Sequence, residues 1–176
     1  MFEKILVALN SKEACAPLFE TALELAQATG GELMLLSILT LDSNPYPAPS
    51  YGLAYSPIDI DDSLWNIYRE HYQADEAAGL RMLRQFEAQA VEAGVSTQFD
   101  QTFGNPGRLI CDSAKTWNAD VIVVGSHGRK GLGELLIGSV SNYVMHHAPC
   151  SVMVVHKSVT YQDDDASSDL ASTAEP

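Results

Sequence analysis

Apolar residues in this chain gather into short runs, and these alternate with longer stretches in which apolar positions recur every three or four residues. The first pattern is typical of buried strands, and the second of helices that pack one face on a core. Strands are predicted over residues 5–9, 33–39, 96–102, 121–124 and 151–155, and helices over 13–29, over 64–93, from 106 and over 139–146. This alternation predicts an α/β fold: a doubly wound, five-stranded parallel sheet with helices on both faces.

Residues that favour chain reversal or capping mark the ends of the predicted helices. Gly30 and Gly94 follow two of them, and Asn105 with Pro106 provides a cap and a first helical residue for a third. Two apolar stripes are expected to face the core: Leu80, Leu83, Phe86, Ala90 and Val91 on the long helix, and Leu109, Ile110, Ala114 and Trp117 on the next, with Cys111 also expected in the core. The third strand is less apolar than the others, which favours a position near the edge of the sheet.

Two segments carry neither pattern. Residues 41–62 combine prolines and polar residues with Tyr46, Tyr51 and Tyr55. Long connections of this kind are functional or disordered, and the aromatic content favours a lid, a subunit contact or a contact with a partner protein. Residues 158–176 are acidic and rich in serine and alanine, which predicts a disordered tail. We therefore expect one domain over residues 1–157, with an insertion at 41–62, followed by the tail.

Charge and cysteine content limit the classes of partner. The net charge of −13 opposes binding to nucleic acids and anionic membranes, whose phosphates attract basic surfaces. The three cysteines are widely spaced and form no zinc-binding or CxxC pattern, which favours a reducing compartment. The first apolar run ends at Asn10 and is too short for a signal-peptide core or a membrane span. We expect a cytoplasmic protein with no nucleic-acid or membrane partner and no metal site.

Residues 125–139 join the fourth predicted strand to the last helix through a glycine-rich segment. Its skeleton is Gly125, two residues, Gly128, nine residues, and then Gly138 followed by Ser139. Glycines allow the backbone to approach a ligand closely, and successive N–H groups at the start of a helix attract anions. Arg129 adds positive charge, as does the lysine after it. The segment is therefore predicted to bind phosphate.

This segment resembles the ATP-binding motif of the universal stress protein family. Residues 4–11 resemble the family's first strand, residues 119–128 its fourth strand and turn, and residues 138–155 its last helix and strand. Together the similar stretches span about residues 2–157. The resemblance implies strand order 3-2-1-4-5 in an adenine-nucleotide alpha-hydrolase-like fold. It also implies ATP, with Mg²⁺, as the ligand, a homodimer formed through the last strand (151–155), and a role in stress-response signalling.

With that strand order, strands one and four meet at the switch point where α/β proteins bind ligands. Ala8, Asn10 and Ile38 are then expected to contact the adenosine. The expected phosphate contacts are Gly125, His127, Gly128, Arg129, Gly138, Ser139, Val140 and Ser141. The family usually has aspartate where this chain has Asn10, and often proline in place of Ala8. Asn10 accepts through its amide carbonyl without a charge, so weaker or rearranged ribose contacts are expected; the alternative is that Asn10 caps a turn or helix.

No residue is assigned a catalytic role. The chain has no Walker A sequence, no G-x-G-x-x-G after the first strand and no nucleophile elbow. Since no carboxylate is placed to position water or metal, any hydrolysis is expected to be slow. Two alternatives remain open: a slow ATPase or self-phosphorylating protein that uses Ser139, Ser141 or His127 as acceptor, and a sensor of AMP or a cyclic nucleotide. The pair His146 and His147 is interpreted as the end of a helix.

Overall fold

Strands and helices alternate along the chain in the computed structural model, which describes residues 1–10, 15–40, 62–126 and 138–156. The elements are β1 (Lys4–Leu9), α1 (Ala16–Thr29), β2 (Glu32–Leu39), α2 (Asp62–Glu92), β3 (Thr97–Phe103), α3 (Pro106–Trp117), β4 (Val121–Gly125), α4 (Ser139–His147) and β5 (Ser151–Val155). The predicted order of strands and helices is confirmed. The predicted tail and nearly all of the insertion at 41–62 lie outside the described residues.

The five strands form one parallel sheet in the order β3-β2-β1-β4-β5. Val7 of β1 lies opposite Leu35 of β2 on one side and Val123 of β4 on the other. The chain therefore builds outward from β1 in one direction through β2 and β3, and then returns to build in the other direction through β4 and β5. The predicted strand order and the edge position of β3 are confirmed. The gap between the helices that follow β1 and β4 is the switch point of the fold.

The two faces of the sheet bury separate sets of side chains, because neighbouring residues of a strand point to opposite sides. On one face, Ile5 packs with Phe19 of α1 and Leu83 of α2. On the other face, Leu6 packs with Ile110 of α3 and with side chains of α4. Helices therefore cover both faces, as the near-continuous apolar character of the inner strands requires. Among the described residues, no helix combines the length and apolar character needed to cross a bilayer.

The predicted stripe on α2 is partly confirmed: two of its members are buried, two are half-buried and one is exposed. Leu83 and Ala90 are fully buried, and Phe86 stacks on Phe19 with ring centroids 4.4 Å apart. Val91 is 59% exposed, so its prediction as a core residue is wrong. One helical position rotates a side chain by about 100°, and with Ala90 facing the sheet, Val91 faces away from it. Met82 packs against the core cluster in addition to the predicted residues.

The helix ends that Gly30, Asn105 and Pro106 predicted are confirmed. Gly30 has a left-handed conformation (φ 67°) and its N–H donates to the carbonyl of Ala26, which ends α1. At the start of α3, the side-chain oxygen of Asn105 accepts a hydrogen bond from the N–H of Arg108 at 3.1 Å. Pro106 follows as the first helical residue. Local sequence signals therefore determine where these helices begin and end.

Asp120, directly before β4, ties the starts of β1 and β4 together. Its Oδ2 accepts hydrogen bonds from the backbone N–H groups of Glu3 and Lys4, each at 2.9 Å. The bonds from Lys4 and then Glu3 lower the pKa of the Asp120 carboxyl below its usual 3.8. The N–H of Asp120 in turn donates to the carbonyl of Lys4 at 2.8 Å. These bonds align β1 and β4 at their amino ends. Because the two strands pair in a fixed register, their carboxyl ends are aligned as well.

Candidate functional site

The carboxyl ends of β1, β2 and β4 bring the predicted adenosine-contacting residues to one edge of the sheet. β1 ends at Leu9 and β4 at Gly125, and these strands pair directly. Ala8 and Ile38 are half-buried and pack against the cluster on the α3 and α4 face, as does Val140, which is expected to contact phosphate. Each contributes apolar surface on this face of the sheet, near the carboxyl ends of β1 and β2 or the start of α4. Such a surface suits the faces of a planar base.

Two hydrogen bonds fasten the start of α4 to the end of β4. The N–H of Gly138 donates to the carbonyl of Ser126 at 2.6 Å. The hydroxyl of Ser141, which is buried, donates to the carbonyl of Gly125. The N–H of Ser126 donates to the carbonyl of Val155 on β5 at 2.9 Å. We call these four residues, Gly125, Ser126, Gly138 and Ser141, the β4–α4 clamp. The clamp holds together the two points that flank residues 127–137.

The first turn of α4 faces the same edge of the sheet and has the features of an anion site. Gly138 occupies the N-cap position, so no side chain caps the helix. Ser139, the first helical residue, is exposed. The N–H groups of a helix's first turn have no partner within the helix, and the positive end of the helix dipole lies beside them. These residues fit a phosphate group, and the Ser139 hydroxyl can donate to a phosphate oxygen or bind Mg²⁺.

The glycine skeleton is only partly described by the structure. Gly125 and Gly138 are brought together by the clamp, as the prediction requires. His127, Gly128 and Arg129 lie outside the described residues. Their expected contacts with phosphate stay predictions.

Asn10 lies just beyond β1 and is joined to Cys15, a residue that the sequence analysis did not place at this site. The N–H of Asn10 donates to Sγ of Cys15 at 3.2 Å, and the thiol donates to the carbonyl of Asn10 at 3.0 Å. Helix α1 begins at Ala16 with Cys15 as its N-cap, although the apolar pattern predicted a start at residue 13. The signal that marks the true start is Pro17, because proline is favoured in the first turn of a helix.

Cys111 and the histidine pair at the end of α4 have structural surroundings. Cys111 is buried in the core as predicted, and burial, followed by the charge of Asp112, raises the pKa of its thiol. His147 ends α4, where its ring stacks on Tyr143 at a centroid distance of 4.0 Å. The interpretation of His146 and His147 as a helix end is confirmed. Among the described residues, no group of histidine, cysteine and carboxylate side chains is placed to hold a metal ion.

An open cavity of about 640 Å³ lies at the opposite, amino-terminal end of the sheet. Glu3 and Glu32 line it, together with the glycines that end α1 and α2. Carboxylates and the carboxyl ends of helices both place negative charge around this cavity. Lys4 lines it as well and pairs with Glu32 at 3.6 Å, so the lining carries both signs of charge. None of the predicted nucleotide-binding residues lines this cavity.

Comparison with known proteins identifies one family, and its match extends over the whole described chain. The model of the universal stress protein family matches residues 1–156. Universal stress protein Sll1388 of Synechocystis is 37% identical over 154 residues, which cover 88% of this chain and 97% of the relative. The solved universal stress protein UspA from Lactobacillus plantarum is 26% identical, with a TM-score of 0.69, over 88% of this chain and 97% of that one.

A further structure of this fold was solved with a ligand. It is a universal stress protein family protein from Arabidopsis thaliana with AMP bound, and it has a TM-score of 0.60 and 24% identity over 93% of this chain and 97% of that one. The family model covers almost the whole described chain, and the Synechocystis relative matches over nearly its full length. This chain belongs to the universal stress protein family.

Proposed function

We propose that this protein binds ATP with Mg²⁺ at the carboxyl edge of its sheet and acts as a nucleotide-dependent regulator in stress responses. The β4–α4 clamp is the observation that carries the proposal, because it holds the uncapped start of α4 beside the ends of β1 and β4. A helix N-terminus at the switch point of an α/β sheet is a favourable place for a phosphate group. The AMP bound to the Arabidopsis protein supports an adenine nucleotide as the ligand class.

The proposed contacts divide between two parts of the site. Ala8 and Ile38 offer apolar contact to the adenine, and Asn10 is assigned to the ribose. The phosphate contacts are assigned to Gly125, His127, Gly128, Arg129, Gly138, Ser139, Val140 and Ser141. The hydroxyl of Ser141 already donates to Gly125, so Ser141 is assigned to the phosphates through its backbone N–H in the first turn of α4. The exposed hydroxyl of Ser139 is the serine hydroxyl that we assign to the ligand.

Calorimetric titration tests the proposal most directly. ATP with Mg²⁺, AMP and cyclic AMP are titrated into the wild-type protein, the Gly128→Val variant and the Gly133→Val variant. Gly133 lies in the same glycine-rich segment but outside the skeleton, and it serves as the matched control. We expect saturable ATP binding that Gly128→Val abolishes and Gly133→Val retains. Tighter binding of AMP or cyclic AMP than of ATP would replace ATP as the ligand, and no binding of any of the three would overturn the proposal.

Slow self-phosphorylation is the second candidate function, and the exposure of Ser139 at the start of α4 favours it. A hydroxyl beside bound phosphates is placed to accept a phosphoryl group, whereas the hydroxyl of Ser141 is buried and hydrogen-bonded. Incubation with labelled ATP tests this activity. Label that is retained by wild type and by Ser141→Ala but lost in Ser139→Ala would support it, and absence of label under saturating ATP would contradict it.

We also propose a homodimer formed through β5 (Ser151–Val155). This strand is at the edge of the sheet, and the side chains of Val152, Met153, Val154 and Val155 are only half-buried. An apolar edge strand of this kind invites pairing with a second copy across a two-fold axis. Analytical ultracentrifugation of wild type and Met153→Glu tests the proposal. A dimer that the substitution dissociates without loss of helix content supports it, and a wild-type monomer contradicts it.

The proposed compartment is the cytoplasm. All three cysteines lie within the described residues and none of them forms a disulfide bond, which suits a reducing environment.

A further inference from the structure

One thiol contacts both peptide groups of a residue at the proposed ribose site. Sγ of Cys15 accepts from the N–H of Asn10 at 3.2 Å, and its S–H donates to the carbonyl of Asn10 at 3.0 Å. Asn10 is the first residue after β1, and its position is exposed. Cys15 is 8% exposed and belongs to the core cluster beneath α1. The thiol therefore links the end of β1 to the buried core.

The position of Cys15 makes this contact unusual. An N-cap side chain normally accepts from the N–H groups of the helix that it begins. The side chain of Cys15 makes no such capping bond to α1, although it occupies the N-cap position. It is directed back to Asn10 instead. These hydrogen bonds therefore stabilise the conformation at the end of β1 and not the start of α1.

We infer that Cys15 is a positioning residue for nucleotide binding, one that orients Asn10 towards the ribose; this inference rests on the function proposed above. Asn10 carries no charge, so any bond that its side chain makes to a ribose hydroxyl depends on direction, since hydrogen bonds weaken steeply as they bend. The two bonds fix both the N–H and the C=O of Asn10, which belong to the two peptide units on either side of its Cα. They restrict the backbone from which its side chain extends.

Binding measurements with two ligands separate this role from a general effect on folding. ATP and 2′,3′-dideoxy-ATP, which lacks the ribose hydroxyls, are titrated into wild type, Cys15→Ala, Cys15→Ser and Cys150→Ala. Serine retains a hydrogen-bonding group, and Cys150 precedes β5 at the opposite end of the sheet. We expect Cys15→Ala to weaken ATP binding about fivefold to tenfold, in keeping with the loss of one or two modest hydrogen bonds. Its affinity for the dideoxy ligand should equal that of wild type, and Cys15→Ser and Cys150→Ala should bind ATP within about twofold of wild type.

Each outcome of this titration decides the inference. If wild type binds ATP and Cys15→Ala binds it equally well, the positioning role is wrong while the proposed function stands. If Cys15→Ala weakens the binding of both ligands equally, its effect does not depend on the ribose hydroxyls, and the positioning role is again wrong. If wild type binds neither ligand, the proposed function fails and this inference fails with it.

A measurement on the unaltered protein tests the same coupling without a substitution. If Asn10 and Cys15 are coupled, bound ATP must hinder opening of their contact, because coupling between two sites is reciprocal. Wild type is alkylated with iodoacetamide with and without ATP, and the labelling of each cysteine is followed by peptide mass spectrometry. We expect ATP to slow the alkylation of Cys15 at least about fivefold more than that of Cys111 and Cys150. Equal protection of all three thiols, or of none, would contradict the inference.

Discussion

The hydroxyl of Ser141 on α4 donates a hydrogen bond to the carbonyl oxygen of Gly125 at the end of β4. The two residues are sixteen positions apart, and the segment between them contains most of the predicted phosphate-binding motif. Ser141 is 5% exposed, so its hydroxyl serves the protein's own backbone. The bond holds the N-terminus of α4 at the switch point of the sheet, and this makes Ser141 a supporting residue, so Ser139 is the serine whose hydroxyl we propose as the ligand contact.

Ser141→Ala should lower the free energy of unfolding by about 1–2 kcal/mol, because the carbonyl of Gly125 loses a buried hydrogen-bond donor. Urea denaturation measures this loss. ATP affinity should fall in parallel, since the start of α4 is no longer fastened to β4. A variant as stable as wild type would show that the clamp does not depend on this hydroxyl.

Ser139→Ala should leave the free energy of unfolding within about 0.5 kcal/mol of wild type, as is usual for exposed positions. Its affinity for ATP should nevertheless fall about tenfold to hundredfold, because a hydrogen bond to a charged phosphate is worth about 1.5–3 kcal/mol. Calorimetry and urea denaturation of the same preparation separate the two effects. Unchanged ATP binding would remove Ser139 from the site.

Asp120→Asn should flatten the dependence of stability on pH at the acidic end. The backbone N–H groups of Lys4 and Glu3 lower the pKa of Asp120 in the folded protein. The stabilisation linked to this carboxylate is therefore present above its unfolded-state pKa near 3.8, and it is lost as the pH falls through the lowered folded-state pKa. Denaturation midpoints between about pH 2 and pH 5 test this expectation.

Asp112→Asn is the matched control for this experiment. Asp112 is an exposed carboxylate on α3 that pairs with Arg108 at 3.5 Å. Exposed ion pairs of this kind contribute little to stability. The stability of this variant should therefore fall with pH at the acidic end as steeply as that of wild type. Identical pH profiles for wild type and Asp120→Asn would show that the link between β1 and β4 does not depend on the charge.

The effect of Gly79→Ala on the free energy of unfolding should depend strongly on the residue at position 101. A Cβ at Gly79 on α2 would overlap Nε2 of Gln101 on β3, and this nitrogen is buried without an acceptor among the described residues. In a Gln101→Ala background the overlap is gone, and alanine should gain about 1 kcal/mol over glycine in the helix. With Gln101 present, the overlap with its amide should cancel or reverse this gain in stability.

A double-mutant cycle measured by urea denaturation gives the coupling between Gly79 and Gln101, and we expect at least about 1 kcal/mol. Gln98 is exposed on the same strand, so Gly79→Ala in a Gln98→Ala background should behave as it does in wild type. Additive effects at positions 79 and 101 would mean that the Gln101 amide moves aside without cost.

Much of the fold follows from local patterns in the sequence. Apolar runs indicated all five strands, and Gly30, Asn105 and Pro106 marked helix ends that the structure confirms. The skeleton of Gly125, Gly138 and Ser139 indicated which strand and helix would build the site. These signals are readable because each depends on conformational preferences within a few residues.

The structure alone decided which distant polar groups pair with one another. Asp120 bonds to Glu3 across 117 positions, Cys15 turns away from its own helix to Asn10, and Val91 faces away from the core that its apolar character favours. The sequence by itself determined the order of elements and the place of the glycine-rich motif, because backbone preference and hydrophobic period act locally. The pairing of distant polar groups was decided only by the tertiary structure, because it depends on the direction and distance between atoms that packing brings together.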